Sequence, residues 1–224
     1  MAKEKEMAIN LKKEISKTPL FAGASQVDIT PQMGVQLAGD IGNRRPVEAV
    51  RDNLYARILI LKHEQVITCN VSCDIIGITA ERSTPLREEI AGLLNTTIEG
   101  VMINAQQSHS TPCVGNLAIK EFTYIKNYPW LAGGDESYQI FFHKMVIQGV
   151  KEARKQMQEV KLKAGRSMNS QVAFNRRFVM RDGTASNQPK KNEVNDILYC
   201  EGPIDPEVGL AVFESTTSKK MSRV

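Results

Sequence analysis

Residues 54–78, LYARILILKHEQVITCNVSCDIIGI, restrict the fold more than any other part of the chain. Two dense β-branched and aliphatic runs flank the polar segment KHEQ, the pattern of a hairpin whose strands are largely buried. Residues 79–97, TAERSTPLREEIAGLLNTT, then set Leu86, Ile90, Leu93 and Leu94 at helical spacing, with Ser83 or Thr84 as the cap and Pro85 in the first turn. Another apolar run, GVMINAQ, follows at 100–106. Strand, helix, strand in this order is a crossover unit, and the fold expected is α/β: a mixed sheet with flanking helices. Ligands of such sheets bind beyond the carboxyl ends of parallel strands, which assigns residues 104–115 to that edge.

Either side of this block the pattern is less dense. The stretch LFAGASQVDITP alternates and closes on Pro31, a strand ending in a turn, and MGVQLAGDIGNRRPVEAV is a loop with at most one short strand. A second helix is expected from about Glu136 to Val160, with Ile140, Phe141, Met145, Ile147, Val150 and Met157 as its apolar stripe. The segments VAFNRRFVMRDGT and GPIDPEVGLAVF read as extended, the first punctuated by Asp182 and Gly183. Residues 1–18 form a charged arm, 19–213 the globular part and 214–224 a polar tail.

Composition narrows the function classes. The formal charge of +4 comes from 29 basic and 25 acidic residues spread along 224 positions, with no basic stripe for nucleic acid. The first twenty residues lack the roughly seven-residue apolar run of a signal peptide, and no later segment reaches the about 18 apolar residues of a membrane span. Read as written, the chain is cytoplasmic. Cys69, Cys73, Cys113 and Cys200 lack CxxC spacing and read as buried free thiols. No phosphate loop of GxxxxGK[ST] type occurs. Nothing in the sequence specifies an oligomer.

Few residues carry chemistry. His109 stands among Ser108, Ser110 and Thr111 just past an apolar strand, where a neutral imidazole accepts a proton or binds a metal; the alternative is a loop histidine bonded to its neighbours. His63 falls in the hairpin turn, exposed to solvent, and His143 on the second helix, a packing or surface position. In AFNRRFVMRDG, strand alternation points Arg176 opposite to Asn175 and Arg177, so one guanidinium can enter a site while its neighbour faces water. An arginine-rich surface strand is the plainer reading. Asp28, Asp40, Asp52 and Asp74 have no diagnostic spacing and suit turns and caps.

In order along the chain, AGASQVDITP, LYARILIL, VSCDIIGI, NAQQSHSTP, AFNRRFVMRDGT and GPIDPEVGL resemble the amino-terminal half of neutral/alkaline non-lysosomal ceramidases and their bacterial relatives, over about residues 20–213. The resemblance implies a zinc-dependent amidase that hydrolyses N-acylsphingosine, a small lipid amide, and a chain incomplete relative to the family's full domain. Characterised members are often secreted or membrane-associated, unlike the cytoplasmic reading above.

The family's strand end, approximately T-H-T-H-S-G-P, falls on Gln106 to Pro112. Its first zinc-binding histidine corresponds to Gln107 and its second to His109, so Gln107 and His109 are the metal candidates implied. An amide oxygen is a weaker zinc ligand than an imidazole nitrogen. The family's Asn-Arg pair falls on Asn175 and Arg176, which implies substrate binding by both and a catalytic part for Arg176 beside His109. The remaining ligands, a histidine, a glutamate and a tyrosine, are expected beyond residue 224. Two other readings of the same likeness are a non-catalytic descendant that binds lipid or protein, and a hydrolase of another small amide or ester.

Overall fold

The computed structural model describes residues 18–40, 43–116 and 134–217. The expected charged arm, Thr18 excepted, and the end of the polar tail lie outside those residues. The described residues form two compact units, one of 18–160 with 215–217 and one of 161–214.

In the first unit the hairpin and crossover are both present. Strand β1 (Leu20–Asp28) pairs antiparallel with β2 (Tyr55–His63), which pairs antiparallel with β3 (Val66–Cys73). Helix α1 (Ala80–Leu94) crosses over to β4 (Val101–Ala105), which lies parallel to β3 with Cys69 opposite Val101 and Cys73 opposite Ala105. Alternation decides the faces. Ala56, Ile58 and Ile60 of β2 register with Cys73, Val71 and Cys69 of β3, and all six are buried under the helices.

Helix α1 starts earlier than expected. Its N-cap is Thr79, in extended conformation, so neither Ser83 nor Thr84 caps it and Pro85 lies in the second turn. There the missing N–H forfeits an i→i−4 bond, a loss that burial of Leu86, Ile90, Ala91 and Leu94 offsets. Asn95, at φ 54, ends the helix in left-handed conformation.

Helix α2 (Glu136–Lys155) is capped by Asp135, which accepts from the Tyr138 N–H and the Ser137 hydroxyl. Those bonds hold the Asp135 carboxyl below its usual pKa. The expected stripe is corrected. Tyr138, Phe142, Val146, Val150 and Ala153 form the buried line, whereas Ile140 is 64% exposed. Gly149 explains the choice of face: a Cβ there would meet Ile58 Cδ1 at 2.5 Å and Val27 Cγ1 at 3.1 Å, so the helix rests on the sheet where it has no side chain. The helix also stops short of Val160. The chain turns at Gln156 and enters β5 (Gln158–Met168), whose first three residues pair with Leu20–Ala22.

The second unit holds the rest of β5, β6 (Arg177–Met180), β7 (Ala185–Asn187), β8 (Ile197–Cys200) and all but the last residue of β9 (Glu207–Ser215). β6 is the centre of a three-stranded antiparallel sheet in the order β7-β6-β8. Its hairpin turns at Asp182 and Gly183, with Gly183 at φ 83 and Asp182 accepting from the N–H and hydroxyl of Thr184. β5 and β9 pair as a ribbon, completing the sheet order β4-β3-β2-β1-β5-β9. No helix among the described residues is long and apolar enough to cross a membrane.

Candidate functional site

The segment after β4 sits at the carboxyl edge of the parallel pair. Its backbone is fastened on two sides. Gln106 N–H donates to Cys73 O at 3.1 Å and Gln107 N–H to Ile75 O at 3.1 Å, while Ile76 N–H donates to Pro112 O and Val114 N–H to Gly77 O. On the other side Ala38 N–H donates to Thr111 O at 2.9 Å. Thr111 is buried, and its hydroxyl closes the turn on Ser108 O at 2.7 Å. These bonds leave residues 106–110 exposed at the rim.

His109 is oriented by the glycine loop. One ring nitrogen, Nδ1, lies 3.1 Å from Gly39 O. A backbone carbonyl only accepts, so Nδ1 carries the proton and Nε2 keeps its lone pair, the form of imidazole that binds a metal or takes up a proton. Gly39 can approach this closely because it has no side chain. It sits at φ 96, and a Cβ on it would fall 2.8 Å from His109 Cα, Cβ and O. Arg45 holds the same turn, donating from Nη1 to His109 O at 3.0 Å and from Nη2 to Ser110 Oγ at 3.4 Å. Gly39 and Arg45 are the residues the sequence reading missed. Their only mark is the composition of the loop LAGDIGNRRP.

Gln107 is the other residue expected at this rim. It adopts φ 59, a left-handed conformation that costs a residue with a Cβ about 1 kcal/mol or more. Its side chain has no hydrogen-bond partner among the described residues, whereas Gln106 donates to Ser72 Oγ at 3.3 Å. Near it Asp74 closes the end of β3, accepting from Tyr55 N–H at 2.9 Å and from Arg57 Nη1 at 3.0 Å. Asp28 likewise serves a turn, accepting from Thr30 N–H and Asn53 Nδ2. Burial works to raise the Asp28 pKa, and these bonds outweigh it, so the carboxyl sits below its ordinary value.

Asn175 and Arg176 belong to the second unit. Asn175 uses both ends of its amide on the local backbone, donating to Gly202 O at 3.1 Å and accepting from Arg177 N–H at 2.9 Å. Arg177 pairs with Glu201, and Arg181 donates to Asn195 O at 3.1 Å. The Arg176 guanidinium is exposed and has no partner among the described residues, so of the three arginines it is the one uncommitted to the fold.

The other candidates have structural duties. His63 bonds Thr18 Oγ1 at 2.7 Å and is half-buried rather than bathed in solvent, because β1 and its lead-in lie against the hairpin end. His143 pairs with Glu89 at 2.7 Å between the two helices. Cys69, Cys73 and Cys113 are buried free thiols as expected, whereas Cys200 is exposed on β8. Burial pushes the Cys69 thiol up to about 12, and burial together with the Asp74 charge does the same for Cys73.

No family model and no curated protein matches the sequence. Solved structures do match. The neutral ceramidase from Pseudomonas aeruginosa superposes with a TM-score of 0.61 at 15% identity, over 92% of this chain and 31% of that chain. A ceramidase complexed with C2 gives a TM-score of 0.60 at 15% identity, over 89% of this chain and 29% of that one. The fold is therefore ceramidase-like, and the chain spans under a third of the length of the ceramidases it matches.

Proposed function

We propose that the chain is part of a ceramidase-like hydrolase of lipid amides, and that the rim carrying Gln107 and His109 is one wall of its active site. The observation that carries this is the exposed His109 imidazole, its Nδ1 held by Gly39 O, at the carboxyl edge of the parallel strands in a ceramidase-like fold. In the hydrolysis of an N-acylsphingosine, water adds to the amide carbonyl carbon, the C–N bond breaks, and the amine leaves with a proton. His109 Nε2 is suited to ligate the metal or to handle a proton, and the unpartnered Arg176 to donate hydrogen bonds to a substrate oxygen. Asn175 fixes the backbone beside Arg176 through its bonds to Gly202 O and from Arg177 N–H.

Zinc is the metal proposed for the completed site, and the described residues do not complete it. A catalytic zinc takes about three protein ligands and an open position. Among the described residues no group of three His, Cys, Asp or Glu side chains converges, and the rim offers one imidazole and one carboxamide. The described residues supply His109 to this wall, and the other ligands would come from polypeptide beyond the described residues.

A second reading, a non-catalytic binder of lipid or protein, draws on the exposed amide of Gln107 where the rim calls for a second imidazole. Zinc uptake by Gln107→His beside the native chain separates the two. A clear gain supports a metal site at this rim; no response, with the fold intact by circular dichroism, favours the binder.

A further inference from the structure

Two ion pairs join helices α1 and α2 of the first unit, Arg82 with Glu136 at 2.7 Å and His143 with Glu89 at 2.7 Å. A cavity of about 310 Å³ lies in the seam between the helices, a volume at the lower end of the small-molecule range. Its apolar wall is Ile78, Leu86, Val114 and Phe142, with Ile78 and Val114 joined as a parallel bridge and Leu86, Val114 and Phe142 fully buried.

Gln139 and Arg82 also line the cavity, and each carries a polar atom without a partner. Gln139 is 5% exposed. Its Nε2 donates to Gly134 O at 2.7 Å, which fixes the carboxamide and leaves Oε1 an acceptor with no donor. The Arg82 guanidinium gives Nη1 and Nη2 to Glu136, and its Nε–H, shut off from water, has no acceptor. Among the described residues one further buried side-chain polar atom is unpartnered, Thr79 Oγ1, and it belongs to the N-cap of α1, next to Ile78. Folded chains rarely leave such atoms bare, because each has lost its water and gained nothing in return. Three of them at one seam point to a group that the protein binds there.

We infer that the seam between α1 and α2 binds a small neutral carboxamide with an apolar body. Its carbonyl oxygen accepts from Arg82 Nε–H, its N–H donates to Gln139 Oε1, and the apolar remainder lies against Ile78, Leu86, Val114 and Phe142. The surroundings select against charge. A carboxylate has no donor for Gln139 Oε1 and competes with Glu136 for Arg82. An ammonium has no acceptor to offer Arg82, and it meets Lys144, exposed at the cavity and without a partner among the described residues. Entry takes one movement. Both bare atoms lie beneath the surface of the lining, and the occupant reaches them by turning aside Ile140, a lining residue that is 64% exposed. The site is independent of the amidase reading and of the His109 rim.

Titration of the purified chain with hexanamide tests it, with hexanoate, hexylammonium and 1-hexanol as probes of similar body. Methyl ¹H–¹³C shifts are followed at Ile78, Leu86 and Val114, and at buried Val71, outside the cavity, as background. Hexanamide should move the three seam methyls with a Kd on the order of 1 mM, bind more tightly than each of the other probes, and leave Val71 in place. Gln139→Met removes the acceptor, and Arg82→Lys removes the Nε–H while keeping a cation for Glu136. Each should weaken hexanamide about fivefold with the fold intact by circular dichroism. Arg82→Lys leaves the Gln139 bond to Gly134 O in place, so it decides the matter if Gln139→Met unfolds. No shift at the seam methyls, equal or tighter binding of a charged probe or of the alcohol, or an affinity unchanged in Arg82→Lys overturns the inference.

Discussion

Replacing Gly39 by alanine puts a methyl group into the one contact that sets the tautomer of His109. Two costs follow from the geometry. At φ 96 a residue with a Cβ is strained by about 1–2 kcal/mol. The new Cβ would also lie 2.8 Å from three atoms of His109, well inside van der Waals contact, which adds about 1–3 kcal/mol unless the rim moves. If the rim moves, the Nδ1–H bond to Gly39 O lengthens and about 1 kcal/mol of hydrogen bonding goes with it. A total near 2–4 kcal/mol corresponds to a melting temperature lower by about 4–16 °C in a chain of this size. Thermal unfolding by circular dichroism reads the stability, and the ¹⁵N shifts of the His109 ring read the tautomer. Gly39→Ala should lower the melting temperature and convert a ring protonated at Nδ1 into a mixture of tautomers. An unchanged melting temperature together with an unchanged ring spectrum would refute the reasoning, because it would mean that Gly39 neither crowds nor orients His109.

Other outcomes follow from the packing and the charges. Phe142→Ala should cost about 3–5 kcal/mol, since the ring is fully buried under α2, whereas Ile140→Ala should cost less than about 1; urea unfolding of both variants distinguishes the observed face of the helix from the one its periodicity suggests. Ellman's reagent should titrate one thiol, Cys200, in the native chain and four after unfolding, because burial keeps Cys69, Cys73 and Cys113 protonated. Asp28→Asn should destabilise at pH 7. The folded pKa of Asp28 lies below the unfolded one, so its contribution is present above the unfolded value and is lost as pH falls through the folded one; melting curves of native and variant chains should converge in acid, once the folded carboxyl is protonated.

The hairpin and crossover were legible because their residues carry two unmistakable periods. Two dense β-branched runs around KHEQ marked the hairpin, whose Ile58, Ile60, Cys69 and Val71 share the buried face, and the spacing of Leu86, Ile90 and Leu94 placed α1 between parallel strands. Helix α2 was harder to read. Ile140 and Phe141 look as apolar as Phe142, and the residue that selects the face is Gly149, whose part is to be absent from the contact with Ile58 and Val27. Its end was misjudged for a related reason: Met157 and Val160 continue a helical spacing, although the chain has already left the helix at Gln156 and joined the edge of β1.

The site was legible in part. The position of His109 past a strand end announced a rim residue, and the resemblance to the ceramidase Asn-Arg pair, not strand alternation, singled out Arg176, the arginine that has no partner among the described residues. The orientation of His109 was hidden, because the groups that impose it, Gly39 and Arg45, lie 70 and 64 residues away and become neighbours through the sheet. Local pattern carries no trace of such a contact.

The central claim is that these residues form one wall of a ceramidase-like metal site. Calorimetric titration of the purified chain with zinc, with a fluorescent ceramide assayed in the same buffer, tests it most directly. The account predicts weak uptake, with Kd above ~10 μM, that His109→Ala abolishes, and no turnover by this chain alone. One tightly held zinc per chain with ceramide cleavage, or zinc uptake indifferent to His109→Ala, would contradict it.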